Sequence, residues 1–392
     1  MKGIRPGFRT AILEMNKKGM PPSPKGSPIS GPRRGPSDAR SRRGWTAAPH
    51  SPAVAVQVRG QLQGDEGSGR PTSGNNALAI DIGGTHFRLG LFDQRGRRLA
   101  ISEGVTLRSG GRKWMLEQIR QRARTLLEQW RSPVGACGIS FGGPVDFQLQ
   151  RVTSVHSPGW KRFSFAEWVD KNLRLPCLVD NDANAGALGE FRYGAGRGTQ
   201  AMVYVTLSTG VGAGLILNGK TYRGKDDLAG ELGHVPISDS GKTCSCGAVG
   251  CLESFCSGWA IAERGKEWRR RRRESLTHMG DSSGESTQGI TAKEIALAAS
   301  GGNRGALQIV QEAARWLARG LLTVIRILNP DRIILGGGLT LAGQILLVPL
   351  HQSLKELASP TIGYSTEIVT AELGLYSPLY GAAAMALDLM SR

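Results

Sequence analysis

The sequence lacks a long hydrophobic run. Across its 392 residues, no stretch reaches the roughly 18 apolar residues that a membrane-spanning helix needs. The first residues, "MKGIRPGFRTAILEMNKKGM", are basic but have no apolar centre of about 7 to 15 residues, as a secretory signal would. We therefore expect a cytoplasmic protein without a membrane partner.

Acidic residues are scarce, since 32 Asp or Glu stand against 50 Lys or Arg and the formal net charge is +18. Alone, this excess favours a nucleic-acid or membrane-surface partner. However, residues 1–76 hold 13 of the basic residues, only 4 of the acidic residues and 10 of the 19 prolines. We interpret residues 1–75 as a disordered basic extension. A transit peptide, a nucleic-acid-binding tail, a start site placed too far upstream and a tail without a specific role all remain open.

Glycine-rich turns follow apolar strands in three places. Residues 76–93 (NALAIDIGGTHFRLGLFD) and 201–220 (AMVYVTLSTGVGAGLILNGK) each predict a strand, a turn and a second strand. Residues 328–343 (LNPDRIILGGGLTLAG) predict a helix end, a buried strand and a glycine cluster. None of the three is the G-x-x-x-x-G-K-[ST] phosphate loop or the G-x-G-x-x-G dinucleotide motif.

These turns have the chemistry of a phosphate clamp. Glycine lets backbone N–H groups approach a phosphate closely, Asp81 can hold a hydrated Mg²⁺, and Thr85 can donate its hydroxyl. One such hairpin needs no ligand, but two that face each other would clamp a nucleotide, with the third glycine cluster seating its adenosine. The predicted ATP-binding residues are Asp81, Gly83, Gly84, Thr85, Thr206, Thr209, Gly210, Gly212, Gly337 and Gly338.

With "GISFGGPVD" (138–146) and "DNDANAGALGEFRYGAGRG" (180–198), these segments resemble the ROK family (repressors, open reading frames and sugar kinases) of the actin-like ATPase superfamily. The resemblance covers about residues 77–389. It implies an α/β protein with a two-lobed, ribonuclease H-like fold and a cleft for ATP and a sugar between the lobes. The expected parts are an N-terminal lobe (76–195), a C-terminal lobe (196–375) and a closing helix (376–392) that returns to the N-terminal lobe.

The activity that the resemblance implies is that of a glucokinase-like, ATP-dependent hexose kinase. Phosphoryl transfer to an alcohol benefits from a carboxylate that accepts the hydroxyl proton, while Mg²⁺ and backbone donors carry the transition-state charge. A strand over 175–179 runs into an Ala-rich helix at Asp180, Asn181 and Asp182. Helix capping explains one of these polar residues. By its match to the family's "NDAN", Asp182 is the expected general base, and Asn181 is expected to bind the sugar beside it.

A metal site is predicted by residues 230–254. His234, Cys244, Cys246 and Cys251 are spaced H-x9-C-x-C-x4-C, and this ligand set suits a closed, structural tetrahedral Zn²⁺ site. A disulfide pair and free thiols are the alternatives; without an export signal, and with the other cysteines scattered, a disulfide is disfavoured.

The same loop is predicted to recognise the sugar. The patterns "GExGH" and "GCxE" match the family at Glu231, His234 and Glu253, although two surface glutamates would be ordinary for their type. We hypothesise that His234 binds zinc through one ring nitrogen and a sugar hydroxyl through the other, so that zinc fixes its position. The resemblance also implies a substrate contact at Gly143, the second glycine of the "GG" in the 138–146 motif.

Other functions compete with this one. Part of the family consists of repressors with a DNA-binding domain, but residues 1–76 contain only "TAILEM" as a helical pattern, too little for a helix-turn-helix. A non-catalytic sugar-sensing regulator is suggested by His86 and Ser208, where the family usually has Lys and Gly. Glucose is the favoured hexose; N-acetylglucosamine, N-acetylmannosamine, allose and fructose are alternatives, and His156 could alter the preference. A homodimer or homotetramer is expected.

Overall fold

The computed structural model describes residues 56–58, 76–130, 132–153, 159–272, 289–359 and 361–391, all within one unit, Ala53–Arg392. The expectations for His156 and for most of residues 1–75 therefore lie outside the described residues. Three residues of that tract, Val56–Val58, form a strand. Among the described residues, no helix is both long and apolar enough to cross a membrane.

The predicted hairpins lie in two separate sheets, and the helices surround them. The strands are β1 (Val56–Val58), β2 (Asn76–Ile82), β3 (His86–Phe92), β4 (Arg98–Val105), β5 (Val134–Phe141), β6 (Val145–Asp146), β7 (Arg151–Val152), β8 (Phe163–Ser164), β9 (Cys177–Asn181), β10 (Ala201–Leu207), β11 (Val211–Leu217), β12 (Lys220–Tyr222), β13 (Arg332–Gly336) and β14 (Glu367–Thr370). The helices are α1 (Gly111–Gln129), α2 (Phe165–Leu173), α3 (Asp182–Tyr193), α4 (Glu253–Cys256), α5 (Gly258–Arg272), α6 (Ala292–Ser300), α7 (Arg304–Leu328), α8 (Gln344–Leu357) and α9 (Ser377–Met390).

The two large sheets have the same topology. The first has the order β1-β4-β3-β2-β5-β9 and the second has the order β12-β11-β10-β13-β14. Each sheet contains an antiparallel three-stranded meander and two further strands. These two strands run parallel to the meander strand beside them, which is β2 in the first sheet and β10 in the second. In the first sheet β1 is an extra edge strand, antiparallel to β4. The shared order explains why a hairpin with a glycine-rich turn stands at the equivalent place in each lobe.

Both sheets are covered on both faces, as strands with near-continuous apolar runs require. Side chains alternate along β2, so that Leu78 and Ile80 face the core under α1 and α2 while Ala77 and Ala79 face α9. In the second sheet, one face packs on α5 to α8 and the other on α3. The helices α3 and α9 thus lie between the two sheets.

Small residues allow this central pair of helices to pack tightly. A Cβ added to Gly138 of β5 would lie 1.8 Å from the Ala382 carbonyl oxygen of α9, and one added to Gly381 would lie 1.7 Å from that of Ala185 in α3. Only glycine fits at these two positions. The start of α3, where the polar triplet stands, is therefore fixed relative to the first sheet.

Candidate active site

The first glycine-rich turn is an exposed turn that a neighbouring loop supports. The Gly83 amide donates to the His86 carbonyl oxygen at 2.9 Å, and a Cβ on Gly83 would lie 2.8 Å from that oxygen. From the loop after β4, Thr106 Oγ1 donates to the Gly83 carbonyl oxygen at 2.8 Å and Arg108 Nε donates to that of Gly84 at 3.1 Å. The predicted hairpin is confirmed, and Thr85 and His86 are exposed at its tip.

Asp81 lies beneath this turn and is only 4% exposed. Its carboxylate accepts hydrogen bonds from Ser140 Oγ at 2.9 Å and from Arg88 Nη1 at 3.2 Å. Arg88 stands opposite Asp81 in the β2–β3 hairpin, and Ser140 stands beside it on the parallel strand β5. Burial raises the pKa of Asp81, although the Arg88 charge opposes the shift.

Asp182 begins α3 directly after β9. Asn181 caps the helix, because its side-chain oxygen accepts from the Asn184 amide at 3.0 Å, and its amide nitrogen donates to Asp182 Oδ1 at 3.3 Å. A Cβ on Gly142 would lie 3.8 Å from Asp182 Oδ2 and 3.1 Å from the Ile82 carbonyl oxygen, so the start of α3 meets the end of β2. The adjacent Gly143 amide donates to the Phe141 carbonyl oxygen at 2.8 Å.

The electrostatics of Asp182 suit a base that works near neutral pH. Burial raises its pKa to about 7, the negative charge of Asp81 adds to this shift, and the charge of Glu231 adds a smaller part. The pKa of a carboxyl group normally lies far below this value. A group with a pKa near the working pH can accept a proton in the transition state and still be ionised beforehand.

The second glycine-rich turn joins β10 and β11 and is also confirmed as a hairpin. A Cβ on Gly212 would lie 3.3 Å from Thr206 Cγ2 and 3.5 Å from the Cβ of Ala183, the residue after Asp182. The tip is held by the start of α5, because the Trp259 amide donates to the Thr209 carbonyl oxygen at 3.2 Å. The structure therefore brings the second turn to the start of α3.

The third glycine cluster follows β13, which is parallel to β10. Gly337 has φ +85°, and a Cβ there would lie 2.4 Å from the Leu207 carbonyl oxygen at the end of β10. Apart from Gly338 and its two chain neighbours, none of the described residues has a heavy atom within 4 Å of the position that a Gly338 Cβ would take. The third cluster thus lies beside the second turn, with an open surface at Gly338.

His234, Cys244, Cys246 and Cys251 come together as their spacing predicts. One ligand atom from each of the four lies within 4.8 Å of the others. Cys244 Sγ is 3.4 Å from His234 Nδ1, and Cys246 Sγ is 3.7 Å from Cys251 Sγ. Three thiolates and one imidazole form the donor set of a closed tetrahedral Zn²⁺ site, so these residues fit the predicted metal.

His234 also faces Glu231, on the side away from the cysteines. Its Nε2, the ring nitrogen not directed at Cys244, lies 3.7 Å from Glu231 Oε2. The charge of Glu231 in turn reaches Asp182, as the pKa of Asp182 indicates. The structure therefore places His234 between the cysteine cluster on one side and Glu231 on the other.

Glu253 is buried, with 7% exposure, and its oxygens already accept hydrogen bonds. Oε2 accepts from the Val211 amide at 3.0 Å, and Oε1 accepts from Ser245 Oγ at 3.0 Å and from Trp259 Nε1 at 3.4 Å. Glu253 therefore joins the cysteine loop to the second glycine-rich turn, a contact that its sequence pattern did not predict.

Three further residues escaped the prediction: Arg88 and Ser140, which hold Asp81, and Arg223, which holds Asp180. Arg88 could have been found, because a tight turn centred on Gly84 and Thr85 pairs residues 81 and 88. Nothing local in the sequence links Ser140 to Asp81 or Arg223 to Asp180, since these pairs are 59 and 43 residues apart.

Comparisons with known proteins agree with this arrangement. The sequence model of the ROK family matches residues 77–389. A glucokinase of Streptomyces coelicolor is 32% identical over 317 residues, which are 79% of this chain and 97% of that protein. The crystal structure of a ROK family glucokinase from Streptomyces griseus in complex with glucose and AMPPNP has a TM-score of 0.72 and 31% identity, and the match covers 80% of this chain and 100% of that chain.

A repressor is also similar to the chain. A xylose repressor of Caldicellulosiruptor bescii is 30% identical over 264 residues, which are 67% of this chain and 65% of the repressor. The glucokinases are thus matched over nearly their whole length, whereas about a third of the repressor has no counterpart in the match.

Proposed function

Because the chain belongs to the ROK family of the actin-like ATPase superfamily, we propose that it is an ATP-dependent hexose kinase that forms a hexose 6-phosphate, with glucose as the favoured substrate. One observation carries the proposal: Asp182, a carboxyl group whose pKa is raised to about 7 by burial, lies between two glycine-rich hairpin turns. The two-lobed fold expected from the motifs is confirmed by the ROK glucokinase structure.

In this proposal Asp182 accepts the proton of the hexose 6-hydroxyl. A bond forms between that oxygen and the γ-phosphorus of ATP, the bond from the γ-phosphorus to the β–γ bridging oxygen breaks, and ADP leaves. Asp81 would hold Mg²⁺, which when bound neutralises charge on the phosphates. A hydrated divalent cation would also offset the repulsion between the nearby carboxylates of Asp81 and Asp182.

The donor nucleotide occupies the surface formed by the three glycine segments. The two hairpin turns bind the phosphates through backbone N–H groups and threonine hydroxyls, and the third cluster, with its open surface at Gly338, seats the adenosine. The residues assigned to ATP are Asp81, Gly83, Gly84, Thr85, Thr206, Thr209, Gly210, Gly212, Gly337 and Gly338.

The hexose lies against Gly143, Asn181, Glu231 and His234. Carboxylate, amide and imidazole groups each accept from or donate to several hydroxyls. A carboxylate offers about four acceptor positions, and Glu253 accepts from the Val211 amide, Ser245, Trp259 and the Cys244 thiol, the last at 3.9 Å. With Cys244 as a zinc-bound thiolate, the thiol bond is lost and one position becomes available for the sugar. A structural Zn²⁺ on His234, Cys244, Cys246 and Cys251 would fix the ring of His234 and leave its Nε2 for a sugar hydroxyl.

A coupled assay of ADP release against a panel of hexoses tests the function. We expect hexose-dependent ADP release with glucose at the lowest KM; a lower KM for N-acetylglucosamine, N-acetylmannosamine, allose or fructose would reassign the substrate. Hexose binding without ADP release would instead support a non-catalytic sugar-sensing regulator. As parts of the same proposal, the protein acts in the cytoplasm, where ATP is available, and as a homodimer or homotetramer, which light scattering would determine.

A further inference from the structure

A buried ion pair joins the two lobes beside Asp182. Arg223 follows β12 of the second sheet, and its Nε and Nη2 donate to Asp180 Oδ2 at 2.9 and 2.6 Å. Asp180 belongs to β9 of the first sheet. The Asp180 side chain is 3% exposed and that of Arg223 is 19% exposed. Removal of one partner would leave the other charge buried and uncompensated, which costs far more than breaking an exposed surface pair.

The first lobe holds Arg223 on a second side. The guanidinium carbon lies 3.6 Å from the centroid of the Phe147 ring, and Phe147 is itself fixed, because its carbonyl oxygen accepts from Gln150 Nε2 at 2.6 Å. The Phe147 amide donates to Asp227 Oδ2 at 2.9 Å. The segment after β12 therefore contacts the first lobe through both Arg223 and Asp227.

This segment leads directly to Glu231. It closes on itself through the Ala229 amide, which donates to the Arg223 carbonyl oxygen at 3.0 Å. At its end, the Gly230 carbonyl oxygen accepts from the Ala213 amide at 2.9 Å, and Gly230 has φ +92° with no room for a Cβ. A shift of Arg223 would thus be transmitted along a short, closed segment to Glu231.

The other partner of the ion pair leads directly to Asp182. Asp180 Oδ1 accepts from Asn184 Nδ2 at 3.1 Å, which ties the ion pair to the first turn of α3. Asp182 stands two residues from Asp180 and two residues from Asn184. The ion pair therefore contacts both the segment that carries Glu231 and the helix start that carries Asp182.

We propose that Arg223 is a positioning residue, which through Asp180 sets the spacing between Glu231, the proposed hexose contact, and Asp182, the proposed base. Only the kinetic consequence of this inference rests on the proposed function. A misplacement of about 1 Å between reacting groups can cost about 100-fold in rate. Arg223 touches neither reactant; it acts through the two groups that do.

The test removes the pair without leaving a buried charge. In the double variant Arg223→Met/Asp180→Asn, Met can still pack on Phe147 and Asn can still bond to Asn184. We expect the hexose KM to rise about 10- to 100-fold and kcat to fall, with the ATP KM within about twofold of wild type and Tm nearly unchanged. Arg223→Lys should give an intermediate hexose KM, because lysine keeps the charge but loses the planar fork and the stacking.

A control is the more exposed ion pair of Arg192 and Asp388, which joins α3 to α9 away from Asp182. The variant Arg192→Met/Asp388→Asn should leave both KM values unchanged. Native kinetics in the Arg223→Met/Asp180→Asn variant would overturn the inference. Equal rises in both KM values with a fall in Tm would overturn it too, since they would assign the pair a purely structural role.

Hydrogen exchange provides a readout that needs no substrate. In the Arg223→Met/Asp180→Asn variant, the amides of residues 224–234 should exchange several-fold faster than in wild type and in the control variant. Unchanged exchange there would overturn the inference whatever the kinetics. If wild type shows no hexose-dependent ADP release, the proposed kinase function fails, and the exchange rates still decide whether Arg223 holds the Glu231 segment.

Discussion

Glu253 accepts a hydrogen bond from the Val211 amide at 3.0 Å, and this bond connects the cysteine loop to the second glycine-rich turn. Val211 directly follows Gly210 and opens β11, and a Cβ on Gly210 would lie 2.5 Å from Glu253 Oε2. The proposed zinc site and the proposed phosphate site are therefore mechanically linked, although they are far apart in the sequence.

Replacing Glu253 should therefore affect ATP as well as the hexose. Glu253→Ala leaves the buried Val211 amide without an acceptor, which typically costs about 1–3 kcal/mol. We expect a lower Tm and a rise in the ATP KM of about 5- to 100-fold. Glu253→Gln keeps an acceptor oxygen and should restore most of the Tm and the ATP affinity. A native ATP KM in Glu253→Ala would show that the bond does not shape the turn.

Asp182→Asn should abolish most of the turnover. The substitution preserves the size of the side chain but removes its basicity, and general-base catalysis is typically worth about 10² to 10⁴ in rate. We expect kcat for glucose to fall by this factor, while calorimetry still detects glucose binding. Phosphorylation at a near-native rate would mean that another group accepts the proton.

The raised pKa of Asp182 also predicts how stability depends on pH. Because burial lifts this pKa from its usual 3.8 to about 7, the folded state binds more protons than the unfolded state between these values. The contribution of Asp182 to the free energy of unfolding is thus fully present below about pH 4. It is lost progressively as the pH rises from there through 7. We expect Asp182→Asn to have a higher Tm than wild type at pH 8 and to lose that advantage at pH 5.

Activity should change with pH in the opposite direction. Asp182 must be ionised to accept a proton, so kcat/KM for the hexose should fall about tenfold per unit below pH 7. A profile that stays flat down to pH 5 would contradict the assignment of Asp182 as a base with this pKa.

Local patterns made much of the site predictable. The glycine turns fix the hairpin register that pairs Asp81 with Arg88, the cap at Asn181 ends β9 and starts α3, and the cysteine spacing brings the thiols together. Each of these features depends on hydrogen bonds or ligands within one short stretch of the chain, at most 17 residues long between His234 and Cys251, so the sequence carries the signal directly.

Contacts between distant elements could not be predicted. The bond of Ser140 to Asp81 depends on the parallel register of β5 against β2, which a crossover through α1 sets. Arg223 meets Asp180 only because the two sheets pack around α3 and α9. The sequence pattern associated Glu253 with a sugar but gave no sign of its contacts with Cys244, Ser245, Trp259 and the Val211 amide, which depend on how the second turn packs.

Zinc should organise the hexose site more than the ATP site. Cys246→Ser removes one ligand of the proposed metal, and changes around metal sites typically cost about 10- to 100-fold in affinity or activity. We expect about one Zn per chain in wild type, loss of Zn in the variant, and a rise in the hexose KM through His234. The ATP KM should rise less, through Glu253. Cys256→Ser is the control, because Cys256 is buried outside the cluster and bonds to the Leu252 carbonyl oxygen.

Two results would contradict the proposed role of zinc. Wild-type protein purified without a chelator and free of zinc would refute the metal site. Equal rises of both KM values in Cys246→Ser would refute its selective role in recognising the hexose. Retention of zinc by Cys256→Ser is needed to assign the loss in Cys246→Ser to the ligand itself.

Two N-terminal deletions should behave differently. Composition predicts that residues 1–75 are disordered and contribute few native contacts. Removal of residues 1–52, which keeps β1, should therefore leave Tm and kinase activity nearly unchanged. Removal of residues 1–74 also deletes β1, which pairs with β4 through Val56 and Ser102, Gln57 and Ile101, and Val58 and Ala100. This exposes the edge of β4 and should lower Tm and promote self-association, with little effect on either KM. Thermal denaturation and light scattering of both truncations would measure this, and identical behaviour of the two would show that β1 adds nothing to the sheet.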